Sequence, residues 1–290
     1  TDTDSDADTD TDTDTDSDTD TGSTAPEHEF FDDFAYTGVD AAFSAGDWDA
    51  RSGTGGPGAT GCNWSADNVT FIADPDNGAN TIMVLRAQTD GTGAGSVHSQ
   101  VTTSTRFFEG TYAARVRFTD TPESGTDGDG IVETFYSITP WTMAELETYS
   151  EIDFEYLANG GWGGDGPTMF ETTWETAEPV LNTHDSQGAS LEGWRVLVFT
   201  VSGGEVRYHV DGVQVVTHGG VYYPESPMSI NFNLWFIAEG FAPVGAVRTW
   251  RQDVDWVYHA AGEVLTTAQV EARIAVLRAQ DAERIDTMAQ

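Results

Sequence analysis

Lysine is absent from this 290-residue chain: all twelve basic residues are arginine, set against 49 acidic ones for a formal charge of −37. A surface of that sign argues against nucleic acid and anionic membranes as partners, because both are bound through clustered Lys or Arg. The single cysteine, Cys62, excludes an intramolecular disulfide. No apolar run is long enough to span a bilayer, so membrane insertion is not expected, and no signal-peptide pattern is legible. His98, His184, His209, His218 and His259 lack metal-ligand spacing, which suggests neither zinc nor a histidine-dependent triad, and no cofactor for catalysis.

What is present begins with TDTDSDADTD, a tract with Asp at every even position through Asp20 and no apolar side chain larger than alanine. It cannot bury enough surface to offset chain entropy, so residues 1–28 are expected to form a disordered acidic stalk and linker. Such a Thr-Asp spacer looks like the stalk of a processed exported protein. The expected location is therefore extracellular or at a bacterial cell surface, with lipoprotein anchorage through the stalk; a solubilising tail of an intracellular protein is the plainer alternative.

From Phe30 to Tyr258 the chain reads as short alternating runs punctuated by Gly, Pro, Asn and Asp. In GTYAARVRF, Tyr112, Ala114, Val116 and Phe118 share one face and Arg115 and Arg117 the other, the period-2 pattern of half-buried strands. Asp211-Gly212 separates two such runs and signals a hairpin. Many strands without intervening helices mean an all-β sandwich or barrel over residues 29–262. The tail, 263–290, is expected to be helical: Thr266 and Gln269 suit a capping box, and Val270, Ile274, Leu277, Asp281 and Ile285 follow at helical spacing.

SEIDFEYL, residues 150–157, aligns Glu151, Asp153 and Glu155 on one face of a strand, with Ile152, Phe154 and Tyr156 directed to the core. Three like charges repel, so an ordinary solvated face is a poor explanation. Crowding spreads their pKa values, leaving one group protonated as an acid and another ionised as a nucleophile. Glu151 and Glu155 are about 13 Å apart along the backbone. Side chains leaning together could approach the roughly 5–5.5 Å carboxyl separation of retaining glycosidases.

EIDFE resembles the active-site strand of family 16 glycoside hydrolases, whose pattern is Glu-x-Asp-x-Glu or Glu-x-Asp-x-x-Glu. GSVHSQVTTSTRFFEGTYAARVRF, TFYSITP, VRYHVDG, NFNLWF and DVDWVYH resemble further segments of that family in its own order. The resemblance implies a concanavalin-like β-jelly-roll sandwich of two antiparallel sheets with a short C-terminal helix. It implies Glu151 as nucleophile, Asp153 as assisting residue and Glu155 as acid/base. Trp235 matches a cleft position, with Asn233 beside it able to bond a sugar hydroxyl. Trp162 in the glycine-rich ANGGWGGDGP loop, Trp174, Phe135 and Trp141 are further substrate-binding candidates. Arg115 matches an arginine that pairs with an acidic neighbour, and Asp255 a position that holds a structural calcium.

In the family resembled, the shorter, unbulged Glu-x-Asp-x-Glu form goes with lichenase-like enzymes, so the resemblance implies an endo-β-glucanase acting on polysaccharide, mixed β-1,3/1,4-glucan first; the chain is expected to be a monomer. A non-catalytic glycan-binding module, the same chemistry on β-1,3-glucan or galactan, and transglycosylation are the alternatives.

Overall fold

The structure, a computed structural model, describes residues 25–238 and 240–288; most of the expected stalk lies outside them. In chain order, β1 (Glu29–Asp32) leads to a one-turn helix α1 (Ala41–Ala45), then β2 (Trp48–Ala50) and the two-residue strands β3 (Gly53–Thr54) and β4 (Asn63–Trp64). Four strands follow: β5 (Val69–Ala73), β6 (Thr81–Thr89), β7 (Val97–Thr103) and β8 (Gly110–Phe118). The middle of the chain holds β9 (Ile131–Ile138), β10 (Glu151–Leu157), β11 (Thr168–Thr176) and β12 (Leu181–Gly188). After these come β13 (Gly193–Ser202), β14 (Glu205–Val210), β15 (Val213–Gly219) and β16 (Ser229–Phe236). The long β17 (Arg248–Ala261), helix α2 (Thr267–Ala279) and the short β18 (Arg284–Asp286) complete it.

Apart from the two-residue β4, which pairs parallel with β7, these strands build two antiparallel sheets, the jelly-roll architecture expected. One sheet runs β2-β7-β16-β9-β10-β11-β12 and carries the carboxylates near its centre. The other runs β18-β1-β17-β8-β13-β14-β15, with β6 and β5 continuing from the first half of β17. Alternation explains the layering, since every second side chain of a strand enters the space between sheets. Phe135 and Phe154 of the first sheet meet Phe199 of the second at ring-centroid distances of 5.4 and 6.3 Å. Each such phenylalanine contributes roughly 2–3 kcal/mol by leaving water. The hairpin at Asp211-Gly212 forms, with both residues at positive φ (49° and 79°), as its turn type requires.

Two helical elements differ from expectation. Helix α1, not foreseen, is short and is started by Asp40, whose carboxylate accepts from Ala42 N at 2.8 Å. Helix α2 has the expected Thr266–Gln269 capping box and packs Val270, Ile274 and Leu277 on Phe31, Val198 and Tyr258. It ends at Ala279, however, so Asp281 and Ile285 do not extend its stripe: Asp281 has φ +55° and Ile285 belongs to β18, paired with Phe31. Pairing with β1 outweighs local helical periodicity there.

The calcium expected at Asp255 does not fit its surroundings. β17 shifts register between Val254 and Trp256, and the buried Asp255 carboxylate accepts from Arg115 Nη1 and Arg278 Nη2 at 2.7 Å each and from Asn80 Nδ2 at 2.6 Å. Burial alone would raise its pKa, but Arg278 and Arg115 hold it below the usual carboxylate range. Two guanidinium groups stand where a cation would have to enter, and they tie helix α2 to the sheet. Arg115 is thus the partner of an acidic neighbour, as its position implied.

Candidate active site

Strand β10 pairs with β9 and β11 without a register shift, so no bulge re-aims its side chains. Glu151, Asp153 and Glu155 therefore project to one face, opposite Ile152, Phe154 and Tyr156 in the core. The neighbouring strands place Trp174 beside Glu151, Thr172 and Tyr136 beside Asp153, and Phe170 and Thr134 beside Glu155.

The three carboxyl groups have different partners. The Tyr149 hydroxyl donates to Glu151 Oε2, and Trp174 Nε1 donates to Asp153 Oδ2 at 2.8 Å. Glu155 has no hydrogen-bond partner for its carboxyl among the described residues. Burial pushes Glu151 up to about 7, opposed by bonds from Tyr149 and from Asp153 that favour its ionised form. Asp153 lies well above the usual range, from burial first and then from the charges of Glu151 and Glu155. Glu155 is raised to about 8 by burial and by the charge of Glu151. The set titrates together, and between about pH 7 and 8 these shifts favour an ionised Glu151 accepting from a protonated Asp153, with Glu155 still holding its proton.

This has a stability consequence. Below pH ~4 Glu155 is protonated in the folded and unfolded chain alike, so it costs nothing; its folded pKa is raised, so the cost appears as pH climbs toward 8 and is complete above it. Glu155→Gln is therefore expected to leave Tm unchanged at pH 4 and to raise it at pH 9 by at least about 2–4 °C, the shift that each ~1 kcal/mol relieved gives. Equal shifts at both pH values in a thermal scan would contradict this origin.

The aromatic candidates divide. Trp162 and Trp235 come together with ring centroids 6.0 Å apart, and Trp162 also meets Phe170 at 5.5 Å. Trp174 lies on the carboxylate face, and Trp141, 62% exposed, sits on the rim 6.3 Å from Tyr149. Phe135 is a correction: it is fully buried between the sheets, stacked 5.3 Å from Phe232, and Tyr136 takes the outward place. Asn233 lies on the carboxylate face, but its amide is engaged by protein: Oδ1 accepts from Thr134 Oγ1 at 2.6 Å and Nδ2 donates to Tyr136 OH at 3.2 Å.

The glycines of the 158–167 loop serve the turn itself. A Cβ on Gly160 would lie 2.4 Å from Gly164 O, and one on Gly161 would meet Leu157 and Ile237 at 2.8 Å. That tight turn, with Trp162 at φ +49°, presents the Trp162 ring. Beside it is a recess of about 460 Å³ between Trp162, Asn159, Ile237 and Gly130. It lies past the C-terminal end of β10 rather than over the carboxylates, which stand on an open sheet face suited to a long polymer.

Sequence reasoning missed Tyr149, Tyr136 and Gln100, whose Nε2 donates to Tyr136 OH at 2.9 Å. Tyr149 was findable, because it stands two residues before Glu151 and shares its parity along the strand.

No protein-family model and no curated protein matches the chain. Solved structures do match. The Bacillus licheniformis β-glucanase superposes with a TM-score of 0.58 at 18% identity, covering 80% of this chain and 98% of that one. A glycoside hydrolase family 16 endo-glucanase from Bacteroides ovatus gives 0.59 at 14% identity, covering 79% and 98%. The laminarinase catalytic domain of Thermotoga maritima gives 0.58 at 14%, covering 80% and 96%. The chain has the β-glucanase fold. In this β-glucanase fold the carboxylate strand is central in its sheet, between β9 and β11, with β16 beyond β9. Nearly the whole length of each neighbour is matched.

Proposed function

We propose that the chain is a family 16 glycoside hydrolase, an endo-acting β-glucanase that cleaves with retention of anomeric configuration, on mixed β-1,3/1,4-glucan first. The carrying observation is the unequal treatment of the three carboxyl groups on one strand face. Glu151, given two donors, attacks the anomeric carbon. Glu155, without a protein partner for its proton, delivers it to the leaving oxygen. A covalent glycosyl-enzyme results, and Glu155, now ionised, removes a proton from the water that releases the sugar. Asp153 holds Glu151 by the hydrogen bond between them, and Trp174 orients Asp153. Trp141 and Trp162, both exposed, offer faces for sugar rings, while Trp235, only 8% exposed, packs against Trp162 and supports its ring. The unbulged β10 ladder supports the mixed-linkage substrate, as does likeness to structures whose names include mixed-linkage glucanases. A polymeric substrate cannot cross a membrane, which is consistent with action outside the cell.

The test is release of reducing ends from a panel of lichenan, barley β-glucan, laminarin, xyloglucan and agarose. Lichenan and barley glucan should be cleaved fastest; no release from any polymer would end the proposal. The pH profile carries its own sign. Activity should rise as Glu151 ionises near 7 and fall as Glu155 loses its proton near 8, giving a narrow bell with its maximum between them. A flat profile from pH 5 to 10 would contradict the assignment.

A further inference from the structure

The twelve arginines are the chain's only fixed cations, and eleven have a carboxylate within 4.0 Å. Among the described residues Arg51 is the exception. It follows β2 at the end of the site-bearing sheet, where its backbone N–H donates to Gln100 O at 3.0 Å. Its guanidinium donates from Nη1 to Gln100 Oε1 at 2.9 Å and lies 4.3 Å over the ring of Trp64. Trp64 is itself fixed, donating from Nε1 to Gly55 O at 2.8 Å. Gln100 passes the connection on to the Tyr136 hydroxyl at 2.9 Å, and Tyr136 stands beside Asp153.

A half-buried cation without a counter-ion is unfavourable, and its burial lowers the Arg51 pKa. In a chain with 49 acidic residues a partner was available at every other arginine. Of the five N–H groups in the guanidinium fork, Gln100 engages one. Stacking on Trp64 fixes the orientation of the planar fork and shields one face. That combination suits bidentate recognition of a planar or tetrahedral oxyanion.

We infer that Arg51 is a subsite for an anionic substituent, a sulfate ester or a uronate carboxylate, on a sugar bound away from the scissile bond. The inference rests on the glycan-hydrolase reading above and extends its substrates to glucans that carry charged substituents or branches. β7, which holds Gln100, is three strand spacings from β10, about 14 Å. Arg51 therefore meets a ring well removed from the one that reacts, and its contribution should appear in KM rather than kcat. The overall charge of −37 opposes the approach of a polyanion at long range. Salt at about 0.15 M confines that repulsion to about 8 Å and weakens a close, half-buried pair much less.

The experiment uses the full chain at about 0.15 M salt with three probes: lichenan, lichenan oxidised at C6 to the uronate, and partially sulfated lichenan. The wild type should show a lower KM on at least one charged form than on the parent. Arg51→Gln should raise the ratio of charged to parent KM about tenfold, with the ratio of kcat values unmoved. Arg51→Lys, which keeps the charge without the fork, should fall between. The two charged arms identify which anion is bound. A wild type that favours the parent over both charged forms would overturn the subsite, as would an Arg51→Gln variant with unchanged KM ratios. If no probe is hydrolysed, the hydrolase reading fails separately, and the dissociation constants of the same probes, measured by calorimetry, still decide for or against Arg51 by the same ratios.

Discussion

Glu151→Ala should lose about 10⁴-fold in kcat on lichenan while retaining its affinity for the polymer. The loss follows from the geometry, because no other carboxylate on the face is both ionised and hydrogen-bonded into place. Asp153 is kept protonated by burial first and then by the charge of Glu151, and Glu155 holds the proton needed by the leaving group. Azide is small enough to enter the space left by the deleted carboxylate. It should restore turnover and yield a glycosyl azide of inverted anomeric configuration, since it attacks from the nucleophile's side in a single displacement. Glu155→Ala should behave differently: an aryl glycoside with a good leaving group needs little protonation, so its glycosylation step should survive. Residual activity of Glu151→Ala above a few per cent, with Tm unchanged, would show that the nucleophile has been misassigned.

The second large effect lies in the support of the site. Asp129→Ala should destabilise the fold by about 3–5 kcal/mol, the usual consequence of stranding a buried charge. Arg248, at 1% side-chain exposure, donates from Nε and Nη2 to Asp129, both at 2.7 Å. Asp129 also accepts from Ala242 N at 3.0 Å and Trp250 Nε1 at 3.3 Å, so one carboxylate joins the 128–130 segment, the 240–242 segment and β17. Urea denaturation should show a lower midpoint with little change in slope. Replacing both partners, as Asp129→Leu with Arg248→Met, should recover much of the loss, because no charge is then left unpaired. A cost below about 1 kcal/mol for the single variant would mean that water reaches Arg248.

Strand alternation made most of the fold legible beforehand. GTYAARVRF divides its faces as read, with Tyr112 and Val116 inside and Arg115 and Arg117 outside. The carboxylate trio was equally plain, since period 2 alone puts three acids on one face. Phe135 shows where such reading fails. A one-residue difference in phase exchanges core and cleft, and TFYSI offers an aromatic residue to each. Arg51 and Trp64 were invisible for another reason: they follow or occupy very short strands, and only their approach to Gln100 and to each other gives them meaning. The tail misled because Ile285 is in helical phase with Leu277, yet its partner is Phe31, far away in sequence.

That last pairing bears on how the chain reaches its native state. β1 lies between β17 and β18, with Phe30 opposite both His259 and Asp286, so the first strand has neither neighbour until nearly the whole chain exists. Contacts of such sequence separation carry a high loop-closure cost and slow the search for the native topology. Phe30 and Phe31, fully buried at the end, must remain exposed during synthesis until residues beyond 248 emerge. Closure of the sandwich therefore waits for β17 and β18, and until they emerge the aromatic β1 is the aggregation-sensitive segment.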